Sequence, residues 1–232
     1  MQLMHRIWLD FISLFFPMTC TGCDEALLGT EEILCSKCLA NLPKTFFVSQ
    51  PTNNSLYTRL MGRVELKHAY AYLYFTKGGM VQHMLHRLKY HGRKDVGHKL
   101  GLILADEIKK QLPNHAYDLI VPVPLHETRL RRRGFNQSTC FAEGISAGLQ
   151  IPYNEKALKR VTPTQTQTKR SRIKRWDNVK EVFLIENKEE LKNKNVLLVD
   201  DVVTTGATLE ACAHELLKHA ASVSIATIAT AR

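Results

Sequence analysis

The segment Val196–Thr208, VLLVDDVVTTGAT, constrains the fold of this chain more than any other. Val196–Val199 is an unbroken apolar run, as expected of a strand covered on both faces; a strand with one wet face would alternate. Asp200 and Asp201 follow at its carboxyl end, and Thr204, Thr205, Gly206, Ala207 and Thr208 form a turn. Beyond it, Leu209, Cys212, Ala213, Leu216 and Leu217 recur at i, i+3, i+4, i+7 and i+8, the apolar stripe of a helix laid on a sheet. A doubly covered strand feeding such a helix demands a parallel neighbour, and so an α/β fold with helices on both faces.

The same segment carries chemistry. Ligands of open α/β sheets gather at the carboxyl ends of strands, and a helix N-terminus offers unpaired N–H groups to phosphate. Thr204, Thr205 and Thr208 add hydroxyls, while Gly206 lets the backbone approach a ligand closely. Two carboxylates beside a phosphate cradle would repel the ligand unless they bind something else, and sugar hydroxyls or a cation are the natural partners. Phosphate at one end and carboxylate-bound hydroxyls at the other describe a ribose 5-phosphate.

The rest of the chain is consistent with this frame. A strand is predicted over His68–Phe75, then a turn at Gly78-Gly79 and a helix over MVQHMLHRLKYHGRK. A second helix is predicted over Leu100–Leu112, a strand over Leu119–Val121, a helix over Phe135–Leu149 and a closing strand over Ser222–Ala231. Pro122 and Pro124 conflict with a central strand running past Val121, so the chain is expected to leave the sheet there. The polar stretch Ser49–Ser55 divides the chain into residues 1–50 and 51–232. A length of 232 residues suits one domain plus a small module.

The N-terminal part holds Cys20, Cys23, Cys35 and Cys38, spaced C-x2-C-x11-C-x2-C. The preceding apolar stretch places Leu3, Ile7, Phe11, Leu14 and Phe15 at helical spacing; with Asp10 inside it and no small-residue cleavage site, it reads as an amphipathic helix rather than a signal peptide. No apolar run approaches the length of a membrane span. The expected compartment is therefore the reducing cytoplasm. There, two CxxC pairs read as a tetrahedral structural Zn²⁺ site rather than disulfides. Its closed ligand set predicts a module that stabilises the fold and is separable from the chemistry. Cys140 and Cys212 sit in apolar helical patterns and are expected in the core.

Charge is uneven. Lys and Arg number 32 against 22 acids, and residues 126–180 hold thirteen bases and four acids, 13 − 4 = +9. A field this one-sided suits phosphates, whether of a nucleic acid or of a small substrate.

The Val196–Thr208 pattern, four apolar residues, two acids, two apolar residues and T-T-G-x-T, resembles the phosphoribosyl pyrophosphate (PRPP) motif of type I phosphoribosyltransferases. With DLIVPVPLHETRLRRRGFNQS (118–138), TQTQTKRSRIKRWDNVKEVF (164–183), LKYHGR (88–93) and the four-cysteine module, the chain resembles the ComF family of bacterial competence proteins over nearly its full length. The resemblance implies a type I phosphoribosyltransferase fold, a mostly parallel sheet flanked by helices, behind a small N-terminal zinc-binding module.

It further implies that Asp200 and Asp201 hold the ribose 2′- and 3′-hydroxyls and that Thr204–Thr208 wrap the 5′-phosphate. A loop over Leu125–Gln137, with Arg129, Arg131, Arg132 and Arg133, would receive pyrophosphate. Arg160–Lys180 would be a flap over the substrate, and Mg²⁺ would accompany PRPP. Purine-salvage members carry a third acid four residues after the first, whereas Thr204 stands there in this chain, so the acceptor and the catalytic residues stay open. A leading N-terminal cysteine, as a glutaminase would need, is absent, and neither G-x-x-x-x-G-K-[ST] nor G-x-G-x-x-G occurs. The expected function is phosphoribosyl transfer with pyrophosphate release, linked to DNA uptake. The alternative is a non-catalytic PRPP sensor or single-stranded-DNA-binding protein of that pathway, with DNA or DNA-uptake proteins as partners.

Overall fold

The computed structural model describes residues 18–112, 116–161 and 182–231. The N-terminal amphipathic segment lies outside the described residues, as does nearly all of the flap segment.

Four strands form one fully parallel sheet: β1 (Ala69–Phe75), β2 (Leu119–Pro122), β5 (Asn195–Val203) and β6 (Ser222–Ala231), in the order β1-β6-β5-β2. Val199 pairs with Pro122 on one side and with Ala226 on the other, so all the strands end toward one edge of the sheet. Parity along β5 shows why its sequence is unbroken. Leu197 and Val199 pack in one core with helices α3 (Met80–Tyr90), α4 (Lys94–Gln111) and α6 (Gln137–Leu149). Val196 and Leu198 pack in the other, with α2 (Ser55–Leu60) and α8 (Ala207–Leu217). All four residues are fully buried, and truncating any one to alanine would cost about 2–5 kcal/mol for a large side chain. Cys140 and Cys212 are buried, one in each core.

The prolines are accommodated because β2 is an edge strand. Pro122 is its last residue, and the missing N–H faces no ladder partner. The opposite edge, on β1, is covered: Tyr74 N–H donates to the Pro43 carbonyl at 2.8 Å and Thr45 N–H to that of Tyr72 at 3.0 Å. This strap leads from the cysteine segment, whose short helix is α1 (Ser36–Ala40), and Ile33, Leu42 and Val48 join the core of the main sheet.

Three expectations change. The helix beginning at Met80 stops at Tyr90, and Gly92 takes φ +66°, so α4 begins at Lys94, six residues before Leu100. The α4–α6 crossing depends on close backbone approach. A Cβ on Gly101 would lie 2.4 Å from the Phe141 carbonyl oxygen, and one on Gly144 2.0 Å from that of His98. β5 runs on to Val203, so the two aspartates lie within the strand rather than beyond it, because β6 pairs with it as far as Thr230. Finally, β3 (Leu158–Val161) and β4 (Val182–Ile185) form a separate antiparallel pair that periodicity did not reveal, followed by α7 (Lys188–Leu191).

Candidate functional site

The site is built on the last residues of β5. Asp200 Oδ1 accepts from the Ser138 hydroxyl at 2.8 Å and from the Asp201 N–H at 2.8 Å. Asp201 Oδ1 accepts from the Val202 N–H at 2.6 Å, and its Oδ2 pairs with Lys89 Nζ at 2.6 Å. Burial, and then the neighbouring Asp201 charge, push the Asp200 carboxyl up to about 7, against the Ser138 and Asp201 hydrogen bonds and the Lys89 charge. Two carboxylates are thus held side by side at a strand end, one oriented by a hydroxyl and one by an ammonium.

The strand then turns into α8. Gly206 is the N-cap of α8 at φ +83°, and a Cβ there would lie 2.8 Å from Leu60 Cδ2. No other residue fits that conformation at that spacing without strain. Two guanidinium groups, Arg59 from α2 and Arg63 from the turn just after it, hold the turn from behind. Arg59 donates to the carbonyls of Thr204 at 2.7 Å and Ala231 at 3.1 Å, and Arg63 donates to that of Thr205 at 3.1 Å while pairing with Glu210. Asp200, Thr204, Thr205, Gly206 and Thr208 line a cavity of about 60 Å³, which would hold a few waters or one phosphate group.

The arginine segment differs from its expected form. Residues Glu127–Arg133 are a helix, α5, capped by the His126 side chain and by Gly134 at φ +80°, and none of its residues is buried. At 100° per residue, Arg129, Arg132 and Arg133 share one face and Arg131 points away. Arg131 pairs with Glu127 at 2.6 Å, and the Arg133 guanidinium stands 5.5 Å from the centroid of the exposed Tyr90 ring. The four arginines therefore do not converge.

The four cysteines do. The sulfurs of Cys20, Cys23, Cys35 and Cys38 all lie within 4.8 Å of one another. The Cys23–Cys35 separation, 3.8 Å, matches the edge of a tetrahedron with metal–sulfur bonds of about 2.3 Å. Amide N–H groups of Gly22 and Cys35 point at the Cys20 sulfur, at 3.4 and 3.3 Å. Burial pushes the Cys20 thiol up, but the amides of Cys35, Gly22 and Cys23 outweigh it and bring it down to about 7. Cys38 is pushed up, by burial first and then by its neighbouring sulfurs. Four thiolates this close repel one another unless a cation sits among them, so this cluster could hold a metal ion, with no coordination position left for catalysis.

Sequence reading missed Lys89, Ser138, Arg59 and Arg63. Lys89 lies in the LKYHGR stretch and Ser138 closes the 118–138 stretch, both singled out by resemblance; Arg59 and Arg63 carried no signal.

Comparison with known proteins identifies a domain family. Residues 98–232 match the phosphoribosyl transferase domain family. The chain is 34% identical over 146 residues to DNA utilization protein YhgH of Escherichia coli (strain K12), covering 60% of this chain and 62% of that protein. It is 35% identical over 130 residues to Competence protein F of Haemophilus influenzae, covering 54% and 57%, and 30% identical over 156 residues to Competence protein ComFC of Bacillus subtilis, covering 66% and 61%. The matches thus span between 57% and 62% of the length of these relatives. Among solved structures, the chain is similar to a glutamine PRPP amidotransferase from B. subtilis, at 19% identity and TM-score 0.41, over 62% of this chain and 30% of that one. It is also similar to a purine phosphoribosyltransferase from Pyrococcus horikoshii, at 25% identity and TM-score 0.39, over 58% and 73%.

Proposed function

Because the chain belongs to the phosphoribosyl transferase domain family, we propose that it binds PRPP at the end of β5 and transfers the phosphoribosyl group to an acceptor. The observation that carries this reading is the union, on one strand end, of an oriented carboxylate pair with a phosphate-sized turn whose carbonyls are tied back by Arg59 and Arg63. With those carbonyls held away, the N–H groups at the start of α8 and the hydroxyls of Thr204, Thr205 and Thr208 are the groups that would meet a 5′-phosphate.

Asp200 and Asp201 accept hydrogen bonds from the ribose 2′- and 3′-hydroxyls and stabilise the positive charge that develops at the anomeric carbon. There the bond to pyrophosphate breaks, its electron pair leaving with pyrophosphate, as the bond to the acceptor forms and the acceptor's proton passes to water. Arg129, Arg132 and Arg133 supply positive potential for the leaving group, with Arg131 contributing less. Mg²⁺, which prefers oxygen ligands and keeps much of its water, would neutralise charge on the pyrophosphate.

In this reading Cys20, Cys23, Cys35 and Cys38 hold Zn²⁺, residues 1–50 form the metal module and 51–232 the transferase domain. The site of action is the cytoplasm; among the described residues no helix is long and apolar enough to cross a membrane. The names of the relatives suggest that the reaction serves DNA uptake.

The exposed arginine helix beside the exposed Tyr90 ring favours a second reading, a PRPP sensor that grips single-stranded DNA, since stacking rings among cations suit such a strand. Calorimetry with PRPP and Mg²⁺, followed by pyrophosphate release against a panel of bases and amines, separates the two. Binding with release supports the transferase; binding without release from any acceptor supports the sensor; no binding overturns both.

A further inference from the structure

We propose that the four-cysteine knuckle is a working part of the PRPP site, with Arg87 as the positioning residue that, through α3, sets Lys89 against Asp201. This rests on reading Asp200 and Asp201 as the ribose-binding pair, and it replaces the separable module expected from the cysteine spacing.

Helix α3 lies between the two. Its apolar stripe, Val81, Met84, Leu85 and Leu88, seats it on the main core, but such a stripe leaves a helix free to roll and slide slightly along its axis. What stops that motion is polar and comes from the knuckle. Arg87 donates to the Cys20 carbonyl at 3.4 Å and the Thr19 hydroxyl at 3.5 Å, and pairs with Asp24. At the other end of the helix, Met80 packs against the cysteine cluster, where a Cβ on Gly22 would lie 2.9 Å from its Cγ. The knuckle therefore grips α3 at both ends.

Lys89 follows Arg87 by two residues, 200° around the helix, so the two side chains leave opposite sides. One reaches the metal knuckle and the other reaches Asp201 at 2.6 Å. Any roll that draws Arg87 from its partners draws Lys89 from the carboxylate. When the sulfurs lose the cation that ties them together, residues 19–24 lose the geometry that presents the Cys20 carbonyl and Asp24, and Lys89 loses its setting. The adjacent acids then keep less cationic compensation, and the pair is less ready to accept two hydroxyls.

The test uses the full chain loaded with Zn²⁺, with PRPP affinity measured by calorimetry at a temperature where circular dichroism shows every variant folded. Arg87→Ala should weaken PRPP binding at least roughly five-fold, the lower end of coupling between linked sites. Asp24→Asn, which removes only an exposed ion-pair partner, should weaken it less, and Arg87→Lys should restore part of the loss. Lys89→Ala and the double variant Arg87→Ala/Lys89→Ala should bind PRPP equally, because Arg87 acts only through Lys89. By reciprocity, PRPP should raise the chelator concentration that removes half of the metal at equilibrium in the wild type but not in Lys89→Ala. If the wild type fails to bind PRPP, the site reading falls and the proposal with it. If the wild type binds but the two single losses add in the double variant, or PRPP leaves that chelator concentration unchanged, the coupling alone is wrong.

Discussion

The β5–α8 turn and the arginine helix α5 both have the composition of a phosphate site, and they are built in opposite ways. In the turn, the groups that would meet phosphate are backbone N–H groups and short hydroxyls, held by a strand, by Gly206 at φ +83° and by the guanidinium groups of Arg59 and Arg63. In α5, they are long side chains on a helix with no buried residue, each carrying about 2 kcal/mol of rotamer entropy that binding would have to overcome. The turn supplies geometry before any ligand arrives; the helix supplies field, and adapts. Substitutions should therefore be costly in the first region and graded in the second.

The largest effect should come from Asp201→Asn. Losing a charged acceptor for hydroxyls should cost about 2–3 kcal/mol of PRPP affinity, roughly 30- to 150-fold, while salt-dependent DNA binding stays as it was. A loss below about 1 kcal/mol would mean that the geometric site is elsewhere. Next comes Arg59→Ala, which frees the Thr204 and Ala231 carbonyls without touching the ligand. It should weaken PRPP binding by about 1 kcal/mol, near five-fold, and unchanged affinity would show that the turn holds its shape unaided.

A pH series sharpens the comparison further. Asp200 titrates near 7 in the folded chain, against 3.8 for an ordinary carboxyl. Between about pH 4 and 7 the folded chain keeps a proton that the unfolded chain has lost, so this residue's contribution to stability falls as pH rises through that window and is gone above it. Wild-type Tm should therefore drop relative to that of Asp200→Asn across those values. PRPP affinity should move the other way, because ribose hydroxyls donate to the ionised form. A constant Tm difference between the two proteins would contradict the assignment.

The smallest effects belong to α5. Arg131→Ala, on the far face and paired with the exposed Glu127, should change PRPP affinity by less than about 0.5 kcal/mol. Arg132→Ala should cost more, and should flatten the salt dependence of any DNA binding by up to about 1 unit. Equal effects at the two positions would show that only net charge matters there.

Local pattern alone determined the strand, turn and helix of Val196–Leu217, the doubly covered β5, and the closeness of the four sulfurs. These follow from neighbours in sequence: an apolar run, a glycine at a left-handed turn, an i, i+3, i+4 stripe, and CxxC spacing that turns two thiols to one point. Tertiary structure decided what completes the site. Lys89 reaches Asp201 across 112 positions of chain, Ser138 reaches Asp200 across 62, and Arg59 reaches Thr204 across 145. A lysine or serine in an unremarkable helix carries no mark of the carboxylate it will meet, because that meeting depends on how α3, α6 and α2 pack on the sheet. The arginines of α5 failed as a predicted loop for a related reason. Composition set their charge, but a two-turn helix fixed by its His126 and Gly134 caps decided which of them share a face.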